Sequence, residues 1–403
     1  MAEVKKVYQY VGIKAVDMAA GQFELHNKYD FLPLSKFNIH WTLIANAKPV
    51  ASGLIEAPEI APHEKKIINL DLNKYFSDRN KEYYLNFEVK AREPLPLIPA
   101  GFVVATEQIP IKSLTPRYSI SRVATSFLGT EVQIKDTESE LILEAKEVAA
   151  IFDKKTGLLK SYRFKGYEFL KEEVVPYFWR APTDNDFGNR MPQRCAVWLK
   201  ASHNQQLQKF EYKTQGSGQV RVETTLLLPD VPAKYKIIAI FNGQGGLLLQ
   251  NSFTPLSEKE LPEIPRMGMK FILPSAFSNL EWYGRGPHEN YVDRKTSAFI
   301  GRYKDNVRLM KNPYVAAQEY GNRCENHWLT VRNEAGVGLM VIGLPDFEFS
   351  ALPNTPDDLT QKWRGELHAY QVEPRDFTCL LISDMVTGVG GDDSWGARPH
   401  PQY

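Results

Sequence analysis

Two stretches of this sequence carry carboxylates at spacings that could do chemistry. Asp184-Asn185-Asp186-Phe187-Gly188 alternates oxygen-bearing side chains, as a loop around a hard cation such as calcium does. An EF-hand loop needs glycine at the sixth position, where Asn189 stands. The segment therefore reads as a turn whose carboxylates accept backbone N–H groups. Asn333-Glu334 is the kind of pair that serves as acid/base in glycoside hydrolysis when it ends a barrel strand. Here Ala335-Gly336 follows it at an expected hairpin tip, and a solvated glutamate lacks the burial that would raise its pKa. The eight histidines, His26, His40, His63, His203, His288, His327, His368 and His400, show no metal-ligand spacing between neighbours. No glycine-rich phosphate loop, HExxH or GxSxG occurs.

Four further segments concentrate polar, aromatic and glycine residues without any period. They are Phe178 to Asp186, Trp282 to Tyr291, Gln318 to Arg323, and Gly388 to Gly396. Irregular segments that carry tryptophan either brace a fold or shape a binding surface. In the fourth, glycines on both sides permit a tight, projecting loop, and Trp395 can offer a flat apolar face to the C–H groups of a sugar.

The elements that must hold these segments are strands. Phe37-Asn38-Ile39-His40-Trp41-Thr42-Leu43 and Tyr83-Tyr84-Leu85-Asn86-Phe87-Glu88-Val89 alternate apolar and polar residues, and Phe102 to Ile109 is rich in β-branched residues. Short strands between turns over about a hundred residues suggest an immunoglobulin-like β-sandwich, placed at residues 3–112. The proline-rich stretch Glu93 to Pro99 reads as a loop within it. Lys112-Ser113-Leu114-Thr115-Pro116-Arg117 breaks the pattern as a linker, and residues 117–403 form a second all-β domain with longer strands. Three hairpins are expected there. One turns at Asp153-Lys154-Lys155-Thr156-Gly157, where the glycine takes a positive φ, one at Asn242-Gly243, and one between Arg332 and Val337. One helix is expected, at Arg194 to Leu199.

Composition bounds the rest. At 403 residues the chain has room for about two or three domains. With 49 basic against 48 acidic side chains it has no overall field for nucleic acid or an anionic membrane. No apolar run reaches the ~18 residues of a membrane helix. Three cysteines, none in a CxxC pair, exclude a disulfide framework and zinc-finger or thioredoxin chemistry. Met1-Ala2-Glu3-Val4-Lys5-Lys6 lacks the apolar core of a signal peptide and reads as a start inside something longer. Localisation is left open.

Taken in order, Arg180 to Asp186 (Arg-Ala-Pro-Thr-Asp-Asn-Asp), Trp282 to Tyr291, and Gly390-Gly391-Asp392-Asp393-Ser394-Trp395 closely resemble the C-terminal part of large multidomain β-galactosidases of glycoside hydrolase family 2. The resemblance covers about residues 117–403, and the preceding sandwich is where that family places an immunoglobulin-like domain. It implies a large antiparallel β-sandwich similar to galactose mutarotase. It also implies that the nucleophile, the acid/base, and the Mg and Na ligands lie in a catalytic (β/α)8 barrel absent from this sequence, so that no catalytic residue and no metal is expected here. The parent enzyme so implied hydrolyses terminal β-D-galactose residues of β-galactosides with retention, and this part supplies scaffold and one pocket loop. Trp395, which matches a tryptophan that walls the sugar pocket, is the substrate-binding residue the family implies. The implied partners are a β-galactoside and the chain's own catalytic barrel, with no nucleic acid or membrane; a homo-oligomer is left open. The family normally continues one strand beyond Pro399-His400-Pro401-Gln402-Tyr403. Two alternatives belong to other classes: a free-standing carbohydrate-binding module, and an aldose epimerase. For the latter, His288 and Glu289 are adjacent and would point to opposite faces of a strand.

Overall fold

The computed structural model describes residues 1–76, 78, 81–111, 131–216, 218–257, 260–310, 314–393 and 396–403. They divide into two units, Met1–Arg117 with Lys295–Arg302, and Tyr118–Arg294 with Tyr303–Tyr403. The stretch expected as a linker, Lys112 to Arg117, lies outside the described residues.

In the first unit the alternating strands pack as a sandwich. Phe37, Ile39, Leu43 and Ala45 of the Phe37–Ala45 strand point inward, as do Tyr83, Leu85, Phe87, Val89 and Ala91 of Tyr83–Ala91. These strands are central in a four-stranded antiparallel sheet flanked by Lys48–Glu56 and Val103–Ile111. The opposing sheet pairs Val11–Asp17, Gln22–Asn27 and Lys65–Asn69, and contributes Val11, Phe23 and Leu25 to the same core. Three strands against four, with the fifth strand returning beside the second, is an immunoglobulin-like order. The proline-rich stretch is indeed a loop, closed by the Leu95–Ile98 bridge. Asn27, which ends a strand, stays buried because its Nδ2 donates to Leu32 O (2.8 Å) and Ile60 O (3.0 Å), while its Oδ1 accepts from Tyr29 N. Among the described residues no helix is long and apolar enough to cross a membrane.

Three antiparallel sheets make the second unit. A seven-stranded sheet runs in the order Val175–Tyr177, Arg266–Pro274, Phe377–Val386, Gly338–Leu352, Arg323–Arg332, Asn279–Gly286, Phe299–Asn306, the last strand belonging to this unit from Tyr303 on. A five-stranded sheet and a four-stranded one accompany it. All three feed one core: Leu141, Leu143 and Phe152 from the five-stranded sheet, Val220, Val222 and Tyr235 from the four-stranded, and Ile272, Leu280, Trp282, Leu329 and Phe349 from the seven-stranded. The three expected hairpins form. At the first, Gly157 has φ +74° and its N–H donates to Asp153 O at 2.7 Å. At the second, the positive φ falls on Gly245 rather than Gly243, because Asn242 Oδ1 accepts from Gln244 N and Gly246 N and lengthens the turn. At the third, Asn333 Oδ1 accepts from Val337 N, and the exposed Glu334 accepts from Asn279 Nδ2. The helix expected at Arg194 to Leu199 is two helices, Met191–Arg194 and Ala196–His203, which break at Cys195.

Candidate functional site

The four aperiodic segments meet in one place in the second unit, as a buried polar bracket. Its first corner is Arg180, which is 1% exposed. The guanidinium grips Asp186 with two bonds, Nη1 to Oδ2 at 2.5 Å and Nη2 to Oδ1 at 3.1 Å. Asp186 Oδ2 also accepts from Thr183 N (2.7 Å) and Thr183 Oγ1 (2.9 Å), which closes a capping box at the start of the short helix Asp184–Gly188. Asp184 turns away toward Arg364, and Asn185 Nδ2 donates to Val389 O at 3.1 Å. The three calcium-like oxygen carriers thus face three different partners. Of the two carboxylates Asp186 accepts a backbone N–H, and the segment is a short helix rather than the expected turn.

A second buried pair stands behind the first. Arg266 Nη2 contacts Glu319 Oε1 at 2.9 Å, and Arg266 also donates to Ser383 Oγ and Trp179 O. Burial raises the Glu319 carboxyl above the usual range, and the Arg266 and Arg180 charges pull against that rise. From the third segment, Asn322 Nδ2 donates to Glu348 Oε2 at 2.6 Å and to Asn290 O. Asn290 Oδ1 in turn accepts from Cys324 N at 2.8 Å. Burial likewise pushes the Glu348 carboxyl up. Arg323 donates to Gly321 O and lies 5.5 Å from the centre of the Trp282 ring, and burial lowers it to about 10. His288 and Glu289 do not sit on a strand: Asn279–Gly286 ends before them, at a cis Gly286–Pro287 bond. Glu289 accepts from Tyr314 Oη, Arg294 Nη2 and Gly321 N, so its oxygens brace the segment. Trp179 and Trp282 are fully buried, and their indole N–H groups donate to Thr360 Oγ1 and Arg285 O. Both tryptophans therefore brace the fold.

The bracket holds the root of the fourth segment. Arg180 donates to Thr387 Oγ1 and Gly388 O, Asn185 to Val389 O, and Asp293 Oδ2 accepts from Gly390 N at 2.8 Å. On the far side, Asp393 Oδ1 accepts from Gly396 N and Ala397 N. Gly396 has φ +94°, and a Cβ there would lie 2.3 Å from the backbone carbon of Gly188. Only glycine lets the loop rest on that helix. Gly391, Asp392 and Asp393 are exposed. Trp395, the residue expected to bind sugar, lies with Ser394 outside the described residues. Among the described residues no group of three or more His, Cys, Asp or Glu side chains could hold a metal ion. Sequence reasoning missed Arg266, Asp293 and Glu348. Arg266 and Glu348 have other charged residues within two to four positions, Glu263 and Lys270 for the first and Asp346 for the second, so no isolated charge marked them.

Residues 144–403 match the family model for the β-galactosidase small chain, and residues 23–112 that for β-galactosidase domain 4. The chain belongs to the β-galactosidase small-chain family. A β-galactosidase of Priestia megaterium is 34% identical over 406 residues, which is 100% of this chain and 38% of that protein. Those of Halalkalibacterium halodurans and Vibrio cholerae are 30% and 28% identical, covering 65% and 94% of this chain and 26% and 38% of theirs. The chain thus spans well under half the length of these relatives. Its small-chain match includes the whole polar bracket, from Arg180 to Gly396.

Proposed function

We propose that this chain is a non-catalytic portion of a β-galactosidase, and that it scaffolds the active site and presents one loop to the sugar. One observation carries the reading. The carboxylates Asp186, Glu289 and Glu319 of the converging segments, and Glu348 of the strand Gly338–Leu352 bound to them, are each engaged by a guanidinium, an amide or a backbone N–H. Retaining hydrolysis needs two carboxyl groups about 5–5.5 Å apart across an accessible glycosidic bond. A bracket of engaged, buried acids instead makes a rigid base, and the glycine-rich loop rises from it. In the intact enzyme Trp395 would then lay its indole against the apolar face of a galactoside, and the reacting carboxylates, with any Mg or Na, would come from the catalytic barrel.

The test is release of nitrophenol from a nitrophenyl β-galactoside, by this chain alone and together with a β-galactosidase catalytic portion. Activity only in the second arm supports the reading. Purified activity in the first arm that disappears on mutating a glutamate of this chain overturns it. Trp395→Ala in the intact enzyme should raise KM roughly ten- to a hundredfold, by analogy with the ~1–3 kcal/mol of one aromatic stacking platform.

A further inference from the structure

Three side chains, two from one short segment and one about a hundred positions later, act on three consecutive residues. Arg180 Nη2 holds Gly388 O at 2.9 Å, Asn185 Nδ2 holds Val389 O at 3.1 Å, and Asp293 Oδ2 holds Gly390 N at 2.8 Å. Arg180 and Asn185 are also occupied in the bracket or the short helix. Asp293 differs. It sits at the corner of a tight turn closed by two backbone bonds, Tyr291 N to Arg294 O (3.1 Å) and Arg294 N to Tyr291 O (2.8 Å). That turn is itself fixed, since Arg294 binds Glu289 and Tyr291 is buried against Val386 and Val389. Asp293 Oδ1 is buried, with no hydrogen-bond partner among the described residues. A buried carboxylate oxygen without a partner is costly. The other oxygen, Oδ2, is directed at the loop. Space is equally constrained: a Cβ on Gly388 would come within 2.5 Å of Asp293 Oδ2. Gly390 has φ +67° and Gly391 φ +108°, so the backbone leaves the clamp along a path that L side chains resist.

We infer that Asp293 is a positioning residue for sugar binding: it fixes where the Gly388–Gly396 loop leaves the sheet, and so sets the loop's aim toward the sugar. The inference rests on the loop being a pocket wall, as proposed above. Glycines leave this loop little restraint of its own, so its aim must be imposed from outside. Asp293 imposes it with an acceptor that alanine cannot replace. Asparagine can replace it, with its amide oxygen at Oδ2 and its N–H₂ at the unpartnered Oδ1 position.

The experiment has two readouts. The first is amide exchange of the peptide spanning residues 387–393 in this chain, followed by mass spectrometry. The second is KM and kcat of the intact β-galactosidase that contains it. Exchange should be slow in the parent and in Asp293→Asn, and at least tenfold faster in Asp293→Ala and in Gly388→Ala, whose methyl displaces the carboxylate. KM should follow the same grouping, about tenfold higher in the two alanine variants with kcat within about twofold, and Asp293→Asn should stay near the parent. Tenfold corresponds to ~1.4 kcal/mol. A purely structural residue would instead lower the melting temperature and leave KM alone. Unchanged exchange in both alanine variants overturns the inference, and so does faster exchange with unchanged KM when Trp395→Ala does raise KM. If Trp395→Ala and the alanine variants all leave KM unchanged, the loop takes no part in sugar binding, and the pocket-wall reading falls with the inference.

Discussion

Replacing Asp186 by asparagine changes one atom and should cost the second unit a large part of its stability. Asp186 Oδ2 accepts from Arg180 Nη1, Thr183 N and Thr183 Oγ1, and Oδ1 accepts from Arg180 Nη2. In the asparagine the oxygen keeps the crowded Oδ2 position, which forces the N–H₂ against Arg180 Nη2, donor against donor. The guanidinium, 1% exposed, loses its charge partner and has no route to water. Removing one member of a buried pair costs about 3–5 kcal/mol. At roughly 2–4 °C per kcal/mol for a domain of this size, the transition of that unit should fall by about 6–20 °C. Calorimetry of the parent, Asp186→Asn, Arg180→Met and the double variant measures both the loss and the coupling. The double variant should be about as unstable as the worse single one, so the coupling should equal the smaller single effect, ~3 kcal/mol or more. Additive effects to within ~0.5 kcal/mol, or a shift below about 3 °C for Asp186→Asn, would refute the claim that this pair anchors the bracket.

Three other outcomes are expected. Burial raises the Glu348 carboxyl, so the native state holds that proton at a pH where the unfolded chain has released it; the associated stability is complete below the ordinary carboxylate pKa of about 4.3 and is lost as pH rises through the raised native value. Glu348→Gln keeps the acceptor for Asn322 Nδ2, and should raise the melting temperature at neutral pH and flatten its fall above pH ~5; a lower melting temperature at pH 7 would contradict this. Gly245→Ala should destabilise by at least ~1 kcal/mol in a urea titration, since φ is +84° and the added Cβ would meet Val148 at 2.4 Å; a change below ~0.5 kcal/mol would show that the turn readily reshapes. Trp179→Ala should cost ~3–5 kcal/mol, because the ring is fully buried and its N–H is held by Thr360; a KM defect with unchanged melting would show that this tryptophan works in the pocket instead.

The strands of both units were legible because one face is apolar and one is wet. Phe37–Ala45 and Tyr83–Ala91 obey that rule closely, and the hairpin at Gly157 follows from turn chemistry over five residues. Where both faces are covered the rule fails. In Gly338–Leu352 every residue from Phe347 onward is buried, so the alternation Asp346-Phe347-Glu348-Phe349-Ser350 reads as a strand with a wet face when Glu348 and Ser350 are in fact enclosed. The helix expected at Arg194 to Leu199 was misplaced because two short helices abut at Cys195, each too short to show a period. The bracket was visible only as irregularity. Beside its local bonds, its long-range ones join residues 26 to 208 positions apart, such as Asn322 with Glu348 and Arg180 with Gly388, and no local pattern encodes such partners. Asp293 is the clearest case. Asn290-Tyr291-Val292-Asp293-Arg294 reads as an ordinary turn, and only the fold brings Gly390 to it.

The contact between Arg180 and Gly388 also bears on how the protein is made. The two residues are separated by 208 positions, and Arg180 is sealed in the interior. During synthesis the guanidinium and Asp186 emerge long before the backbone that completes their cage. At the ~5–20 residues per second of translation, roughly ten to forty seconds pass with this charge pair only partly enclosed. A nascent chain halted anywhere in that interval exposes an unfinished, polar seam that proteases and chaperones can recognise. The loop proposed to meet the sugar can take its place only after nearly the whole second unit has been made, so the contact that fixes its root forms late.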